Sequence, residues 1–255
     1  MLETIEGVLA HLPPLVEIVA TLAVVVLGGV VRGFTGFGAA LIIVPSVALV
    51  YDPKTAVVLH ALIEIPGILQ LLPDGIRDCE RRTVLPMLLG VLVALPPGMY
   101  FLVSIDAQIM RVVMSVSVLA MVGLLATGWK YKDTVGPRVA AVGGLGGGFI
   151  HGATGVGGPP IVTLLMSKAD DARRTRGNIL IMMASLLIVA MPAQYFYGLF
   201  HVQVVTLSAI LALVYVLSTY MGTVLFRRFG GRHFRKGAMV VLGLTALSTL
   251  VGSLL

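Results

Sequence analysis

The sequence predicts an all-α, polytopic integral membrane protein, and three observations support this prediction. Of the 255 residues, 58% are hydrophobic and only 12% are charged. The mean hydropathy of +1.01 is far above the balance of a soluble domain. Apolar runs of about 20 residues recur along the chain, and this length crosses the hydrocarbon core of a bilayer. We therefore expect a single membrane domain over residues 1–255, without the ~10-residue alternating segments of a β-barrel.

Apolar segments follow one another along the chain, separated by short polar turns. They cover residues 15–31, 39–50, 56–72, 83–103, 110–128, 138–150, 158–167, 177–198, 203–226 and 237–254. Tyr51–Lys54 closes one turn, and Asp106 is placed to cap the helix that follows it. We expect Pro73–Arg82 to be a polar connection, and we expect Pro66 to break the helix in which it lies.

Two glycine-rich breaks interrupt this pattern. Arg32–Gly38 reads RGFTGFG within the first long apolar run, and His151–Pro160 reads HGATGVGGPP. A shift of 119 residues aligns the two breaks and superposes the apolar segments on either side of them. The identical pairs are Gly33 with Gly152, Thr35 with Thr154, Gly36 with Gly155, and Gly38 with Gly157. We therefore predict two repeats, over about 15–134 and 135–255.

The distribution of basic residues predicts how the broken segments lie in the membrane. If residues 17–50 form a hairpin that enters and leaves on one side, Lys54 and Arg111 lie on one face and 15 other basic residues lie on the opposite face. If the segment crosses once, the division is 6 against 11. The positive-inside rule favours the hairpin. Each half then has one re-entrant hairpin and three transmembrane helices, and the halves are inverted repeats, as in many secondary transporters.

The two hairpin tips are expected to form a binding site for a small anion. The helix that leaves each tip presents unpaired N–H groups and the positive end of its dipole, and glycine lets a ligand approach the backbone closely. Threonine hydroxyls add donors, and the guanidinium of Arg32 suits a carboxylate or sulfonate. The residues predicted to bind the anion are Arg32, Gly33, Thr35, Gly36, Phe37, Gly38, His151, Thr154, Gly155, Gly157 and Gly158.

The same glycines also have a purely structural interpretation. Gly29 with Gly33, and Gly148 with Gly152, show the small-xxx-small spacing of membrane helices that pack closely. This interpretation requires no ligand, and it stays open beside the anion site.

Polar side chains elsewhere in the apolar segments also have two interpretations. Arg32 either contacts the substrate or forms a structural ion pair with Glu64, the acidic residue in the middle of its segment. The candidates for carrying a coupling proton are Glu64, His60 and His151. The residues that either line the path or join helices by hydrogen bonds are Asn178, Gln194 and Gln70.

The sequence does not favour an enzyme or a nucleic-acid-binding protein. The net charge of +6 falls in short loops, where it sets membrane orientation. Cys79 has no second cysteine in the chain with which to form a disulfide. Metal-ligand spacing, a Walker loop and a nucleophile elbow do not occur. We expect no metal and no cofactor, and the expected partners are a small anion and the lipid bilayer, with a second copy of the chain left open.

Three stretches together are similar to a known family. They are Arg32–Ala40 with Val44 and Pro45, Asp78–Arg82, and Gly152–Pro160. In these stretches the chain resembles the sulfite exporter TauE/SafE family of permeases. The resemblance implies a bacterial inner-membrane carrier of sulfite, organosulfonates such as sulfoacetate, or related sulfur or carboxylate anions, commonly moved outward.

These observations together predict a secondary transporter that works by alternating access, with both termini in the periplasm. An anion-selective channel, or a permease for small carboxylates, is the alternative. A membrane-embedded enzyme is less favoured, because no nucleophile and base stand out at one depth.

Overall fold

In the computed structural model, the described part of the chain comprises residues 14–35, 37–129, 131, 135–167, 172–229 and 251. The regular structure of that part is entirely helical, which confirms the all-α class. Its helices are α1 (Leu15–Thr35), α2 (Ala39–Val50), α3 (Pro53–Asp78), α4 (Arg81–Ser104), α5 (Ala107–Thr127), α6 (Pro137–Thr154), α7 (Gly158–Met166), α8 (Ala172–Phe196) and α9 (Val202–Phe229).

Several of these helices are long and apolar enough to cross a membrane. Five qualify alone, and α3 makes a sixth if its two bent parts are counted as one span. The five are Leu15–Gly33, Arg81–Ser104, Ala107–Thr127, Arg174–Phe196 and Val202–Leu225. About 20 helical residues extend ~30 Å, which matches the hydrocarbon core. The protein is therefore a polytopic helical membrane protein; the predicted segment 237–254 lies outside the described residues except for residue 251.

Both glycine-rich breaks are shorter than the sequence predicts. Helix α1 continues through Arg32, and α6 continues through His151, each to the threonine three residues later. The predicted segment ends at residues 31 and 150 are therefore wrong by about one turn. The backbone turns instead at Gly38 and Gly155, whose φ angles are 97° and 72°. A side chain disfavours this left-handed region, so both positions require glycine.

Helix α3 is also longer than predicted. It stays helical through Pro66 and continues to Asp78, so the expected break and most of the expected polar connection are wrong. The helix bends by 65° between Pro53–Leu69 and Leu72–Asp78. Pro73 explains this bend, because it has no N–H for the carbonyl four residues earlier and its ring crowds that carbonyl.

The first broken segment folds back on itself. A Cβ at Gly28 of α1 would lie 2.6 Å from Cγ1 of Ile43 in α2, whereas a continuous helix would hold these residues ~22 Å apart. The hydroxyl oxygens of Thr21 and Tyr51 lie 3.4 Å apart. Beside them, Arg111 of α5 donates to two carbonyls at the end of α2, at 2.8 and 3.0 Å. The start of α1 and the end of α2 thus lie together where α5 begins.

The second broken segment has the same shape. A Cβ at Gly147 of α6 would lie 2.5 Å from Cγ1 of Ile161 in α7. The N–H of Tyr131, which precedes α6, donates to the hydroxyl of Ser167, which follows α7, at 2.8 Å. The first hairpin is followed directly by the start of α3. The second is followed by α8, whose Gly177 packs against the backbone at the end of α3.

Two helix pairs pack with their backbones in close contact, α1 against α9 and α4 against α6. A Cβ at Gly33 would overlap the carbonyl oxygen of Thr219, and a Cβ at Gly152 would overlap that of Leu95. The other members of the two small-xxx-small pairs, Gly29 and Gly148, likewise face Ser218 and Val91. The packing interpretation of these four glycines is therefore confirmed.

Helices α3 and α8 pack against each other, and each also packs against the short arm of one hairpin. Ala61 and Ile68 of α3 form an apolar cluster with Ala184 and Leu187 of α8. Near the start of α8, Oδ1 of Asn178 accepts a hydrogen bond from the backbone N–H of Glu80 at 2.7 Å. The α3–α8 pair therefore connects the two hairpins.

The two predicted turn features are confirmed. Asp52 caps α3, where its carboxylate accepts from the backbone N–H groups of Lys54 and Thr55 at 2.9 and 3.1 Å. Asp106 caps α5 and accepts from the N–H of Gln108 at 2.8 Å. Carboxylates at these positions satisfy donors that a helix start leaves unpaired.

Candidate functional site

A cavity of about 60 Å³ lies where the two breaks meet α3 and α8. The breaks contribute Gly38 and Gly155, and α3 contributes His60 and Glu64. One water molecule needs ~10–15 Å³ of such space, so the cavity can hold a small ion. Most of its wall is apolar, and its few polar side chains are therefore the groups that can orient a ligand.

Arg32 and Glu64 form a buried ion pair in the wall of this cavity. Nη1 of Arg32 lies 2.9 Å from Oε1 of Glu64, and the two side chains are 13% and 7% exposed. The hydroxyl of Tyr215 donates to the same carboxylate oxygen at 2.5 Å, and Nε2 of His60 lies 3.5 Å from it. Removing one partner of such a pair costs about 3–5 kcal/mol, because the other charge remains buried alone. The ion pair expected as one role of Arg32 is therefore present.

Buried polar atoms without partners are concentrated at this cavity. Within the described residues, seven buried side-chain nitrogen or oxygen atoms lack a hydrogen-bond partner, and four of them belong to cavity-lining side chains. The four are Nε2 of His60, which lies near Glu64 without forming a hydrogen bond, Nδ1 of His151, and Nε2 and Oε1 of Gln194. Each unmet group costs about 1–3 kcal/mol, so native proteins keep few of them. Their concentration indicates a place where a ligand or water completes the hydrogen bonding.

The two helices that begin at the cavity offer unequal sets of donors. Ala39 opens α2 and Gly158 opens α7, and both line the cavity. The first N–H groups of a helix have no intrahelical partner and attract anions. Helix α2 presents the N–H groups of Ala39 and Ala40, whereas in α7 Pro159 and Pro160 carry no N–H. The predicted pair of donor-rich helix starts is thus asymmetric.

The cavity brings together many of the residues predicted from the sequence. Those that line it are Arg32, Phe37, Gly38, His60, Glu64, His151, Gly155, Gly158 and Gln194. They come from both breaks and from α3 and α8, which are far apart in sequence.

Other predicted residues make structural contacts instead. Gly33 and Gly157 face backbone carbonyl oxygens, and the hydroxyl of Thr154 donates to the carbonyl of Ile150 at 2.7 Å. Asn178 accepts from a backbone N–H, which is the helix-joining role considered for it. Three predicted positions fall outside the described residues: Gly36, and the side chains of Thr35 and Gln70.

Tyr215 belongs to the site but is not among the residues predicted from the sequence. Its side chain is 2% exposed, and its hydroxyl donates to Glu64. A tyrosine in the middle of a membrane helix is a recognisable signal, because its hydroxyl needs a buried partner. Met183, Leu186 and Leu187 form part of the apolar wall. Nothing distinguishes them in sequence from other apolar residues of a membrane segment.

The fold and this cavity together define a class of protein. A polytopic helical membrane protein with a small cavity, lined by a few polar side chains, between two broken helices has the architecture of a membrane transporter. The chain matches the model of the sulfite exporter TauE/SafE family over residues 21–249 and belongs to that family. Family membership confirms the resemblance and implies a multi-pass transporter of sulfite or related sulfur anions. Neither a curated protein nor a solved structure gave a significant match.

Proposed function

We propose that the protein is a secondary transporter that exports small sulfur-containing anions, such as sulfite or organosulfonates, across the bacterial inner membrane. The observation that most supports this is the cavity between both helix breaks, which is lined by Arg32, by the unpartnered Nδ1 of His151 and by His60, whose Nε2 lies 3.5 Å from Glu64. A guanidinium, imidazoles and helix-start N–H groups form a set of donors that suits a compact oxyanion.

The anion would bind to Arg32 in competition with Glu64. A guanidinium has five N–H donors, and the ion pair uses Nη1, so an oxyanion can engage the remaining donors. The carboxylate neutralises Arg32, and a second negative charge beside Glu64 is unfavourable. Protonation of Glu64 removes this repulsion. An anion that draws Arg32 away from Glu64 removes the positive charge that favours the ionised carboxylate. We propose that anion binding is coupled to proton uptake at Glu64 in this way, with His60 and His151 as the other candidates for the coupling proton.

Alternating access would follow from two inverted halves, over about 15–134 and 135–255. The 119-residue shift carries α1 onto α6 and α4 onto α9, so the two tight crossings, α1–α9 and α4–α6, occupy repeat-related positions. The first hairpin leads into the start of α3, and the second leads into α8, which packs against the end of α3. This arrangement supports hairpins that enter the membrane from opposite sides. Charge counting then assigns both termini to the periplasm.

A thermal-shift screen of the purified protein in detergent tests this function directly. A ligand that binds only the folded state raises its apparent stability as the ligand concentration exceeds Kd. We expect sulfite or methanesulfonate to raise Tm in a concentration-dependent manner, with acetate as the carboxylate comparison. A Tm that stays constant with every small oxyanion would contradict the proposal. A shift with acetate alone would favour a carboxylate permease.

A further inference from the structure

The amide of Gln194 has no assigned partner although it is fully buried. Its side chain is 0% exposed, and neither Nε2 nor Oε1 has a hydrogen-bond partner. The other buried amide of α8, Asn178, is 1% exposed and has a partner in the N–H of Glu80. The two amides on one helix therefore differ: one joins helices, and the other lines the cavity unpaired.

Gln194 lines the same small cavity as Arg32, His60 and Glu64. Met191, one helical turn before Gln194, packs on the apolar cluster that contains Ala61. Ala61 lines the cavity with Gln194, directly follows His60, and lies one turn before Glu64. An anion held by Arg32 would thus have Gln194 within reach of a short substituent.

An amide recognises different chemistry from the rest of the site. The positive charge for an anion comes from Arg32, whereas Gln194 is neutral and offers two N–H donors and a carbonyl acceptor. A hydroxyl group uses both kinds of partner. A bare oxyanion such as sulfite has no hydroxyl substituent, and it would leave the carbonyl of Gln194 without a donor.

We infer that Gln194 is a specificity-determining residue that hydrogen-bonds a polar substituent of the substrate, and that the preferred substrate is a short organic anion with a hydroxyl or similar group near its charged end. This inference rests on the proposed anion site. Sites that hydrogen-bond a substrate group discriminate strongly against analogues without that group, because the buried protein atoms are then left unpaired.

Two matched sulfonates test the inference on the purified full-length protein. Ethanesulfonate and 2-hydroxyethanesulfonate differ only by one hydroxyl group, and Kd for each is measured by thermal shift or calorimetry. We expect the parent to bind the hydroxylated anion at least tenfold more tightly. The variant Gln194→Met should bind both with nearly equal Kd, because the affinity gained from the hydroxyl group is lost.

Stability without ligand separates this role from a structural one. Methionine fills a similar volume and has no unmet polar atoms, so Gln194→Met should have an unchanged or higher Tm. The matched control Asn178→Leu removes the acceptor for Glu80 N–H and should lower Tm while retaining the tenfold preference.

The outcomes distinguish this inference from the proposed function. Equal affinity of the parent for both sulfonates, or a preference that persists in Gln194→Met, would overturn the role of Gln194 while leaving the anion site intact. A lower Tm of Gln194→Met together with a retained preference would assign the amide to folding. Absence of any sulfonate or sulfite binding to the parent would overturn both proposals.

Discussion

Nη1 of Arg32 and Oε1 of Glu64 lie 2.9 Å apart in the wall of the cavity, and Tyr215 donates to the same carboxylate oxygen. The charge that suits an anion is therefore already neutralised within the protein. In the proposed mechanism, the substrate anion competes with this internal carboxylate for Arg32. Such competition would couple anion binding to a second event, either protonation of Glu64 or its displacement.

The paired change Arg32→Gln with Glu64→Gln should remove anion binding without unfolding the protein. Arg32→Gln alone leaves a buried carboxylate unpaired and should cost about 3–5 kcal/mol of stability. Neutralising both positions should recover most of that stability, while the thermal shift with sulfite or sulfonates disappears. Melting curves with and without the anion measure both effects. Anion affinity of the double variant equal to that of the parent would show that Arg32 does not contact the substrate.

Glu64→Gln alone should strengthen anion binding and reduce its dependence on pH. In the proposed mechanism, anion binding to the parent is accompanied by protonation of Glu64, so affinity should rise as pH falls. Glutamine mimics the protonated carboxyl, so its high affinity should persist at neutral and higher pH. Without ligand, the variant should melt at a lower temperature because Arg32 is unpaired, and the anion should produce a larger Tm shift than in the parent. Affinity that falls tenfold in Glu64→Gln would exclude competition between Glu64 and the substrate.

Gly155→Ala should weaken both folding and anion binding, whereas Gly128→Ala should weaken folding alone. Both glycines have positive φ, 72° and 62°, and an alanine there costs roughly 1–2 kcal/mol. Only at Gly155 does the added Cβ meet neighbours, 3.2 Å from Cγ2 of Val57, and only Gly155 lines the cavity. Anion titrations compare the two variants, each at a temperature equally far below its own Tm. Equal loss of affinity in both would indicate a general effect of stability.

Gly33→Ala should destabilise the crossing of α1 and α9, with Gly123→Ala as its control. A Cβ at Gly33 would overlap the backbone of Thr219, and overpacking of this kind costs about 1–3 kcal/mol. No neighbouring atom lies within 4 Å of a Cβ at Gly123, within α5. Alanine there should stabilise the helix by roughly 0.5–1 kcal/mol. Thermal melting in detergent measures both changes, and a Gly33→Ala variant as stable as the parent would contradict the packing.

The membrane class, the two breaks and much of the cavity wall could be predicted from the sequence. Long apolar segments indicate membrane helices from local sequence alone. A turn with positive φ requires glycine, so the turns at Gly38 and Gly155 can be recognised as interruptions of those segments. The ion pair of Arg32 could be anticipated because Glu64 is the one acidic residue in the middle of its segment. These predictions required only the residue types and their positions within the apolar segments.

The remaining features depend on contacts between distant parts of the chain. Helix α1 continues through Gly33 because that glycine packs against α9, a contact that no local pattern reveals. Tyr215 and Glu64 lie 151 positions apart in sequence, and only the fold brings the phenol to the carboxylate. The bend of α3 falls beside Pro73 rather than at Pro66, although both prolines lack an N–H.

Counterflow in proteoliposomes tests the central claim, transport of a small sulfur oxyanion through the Arg32 site, most directly. Vesicles preloaded with unlabelled sulfite or sulfonate should accumulate the labelled anion transiently and with saturation. Vesicles containing the Arg32→Gln, Glu64→Gln double variant should show only background uptake. Uptake that does not saturate and is accompanied by single-channel current would contradict a carrier, and counterflow by the double variant equal to that of the parent would contradict the site.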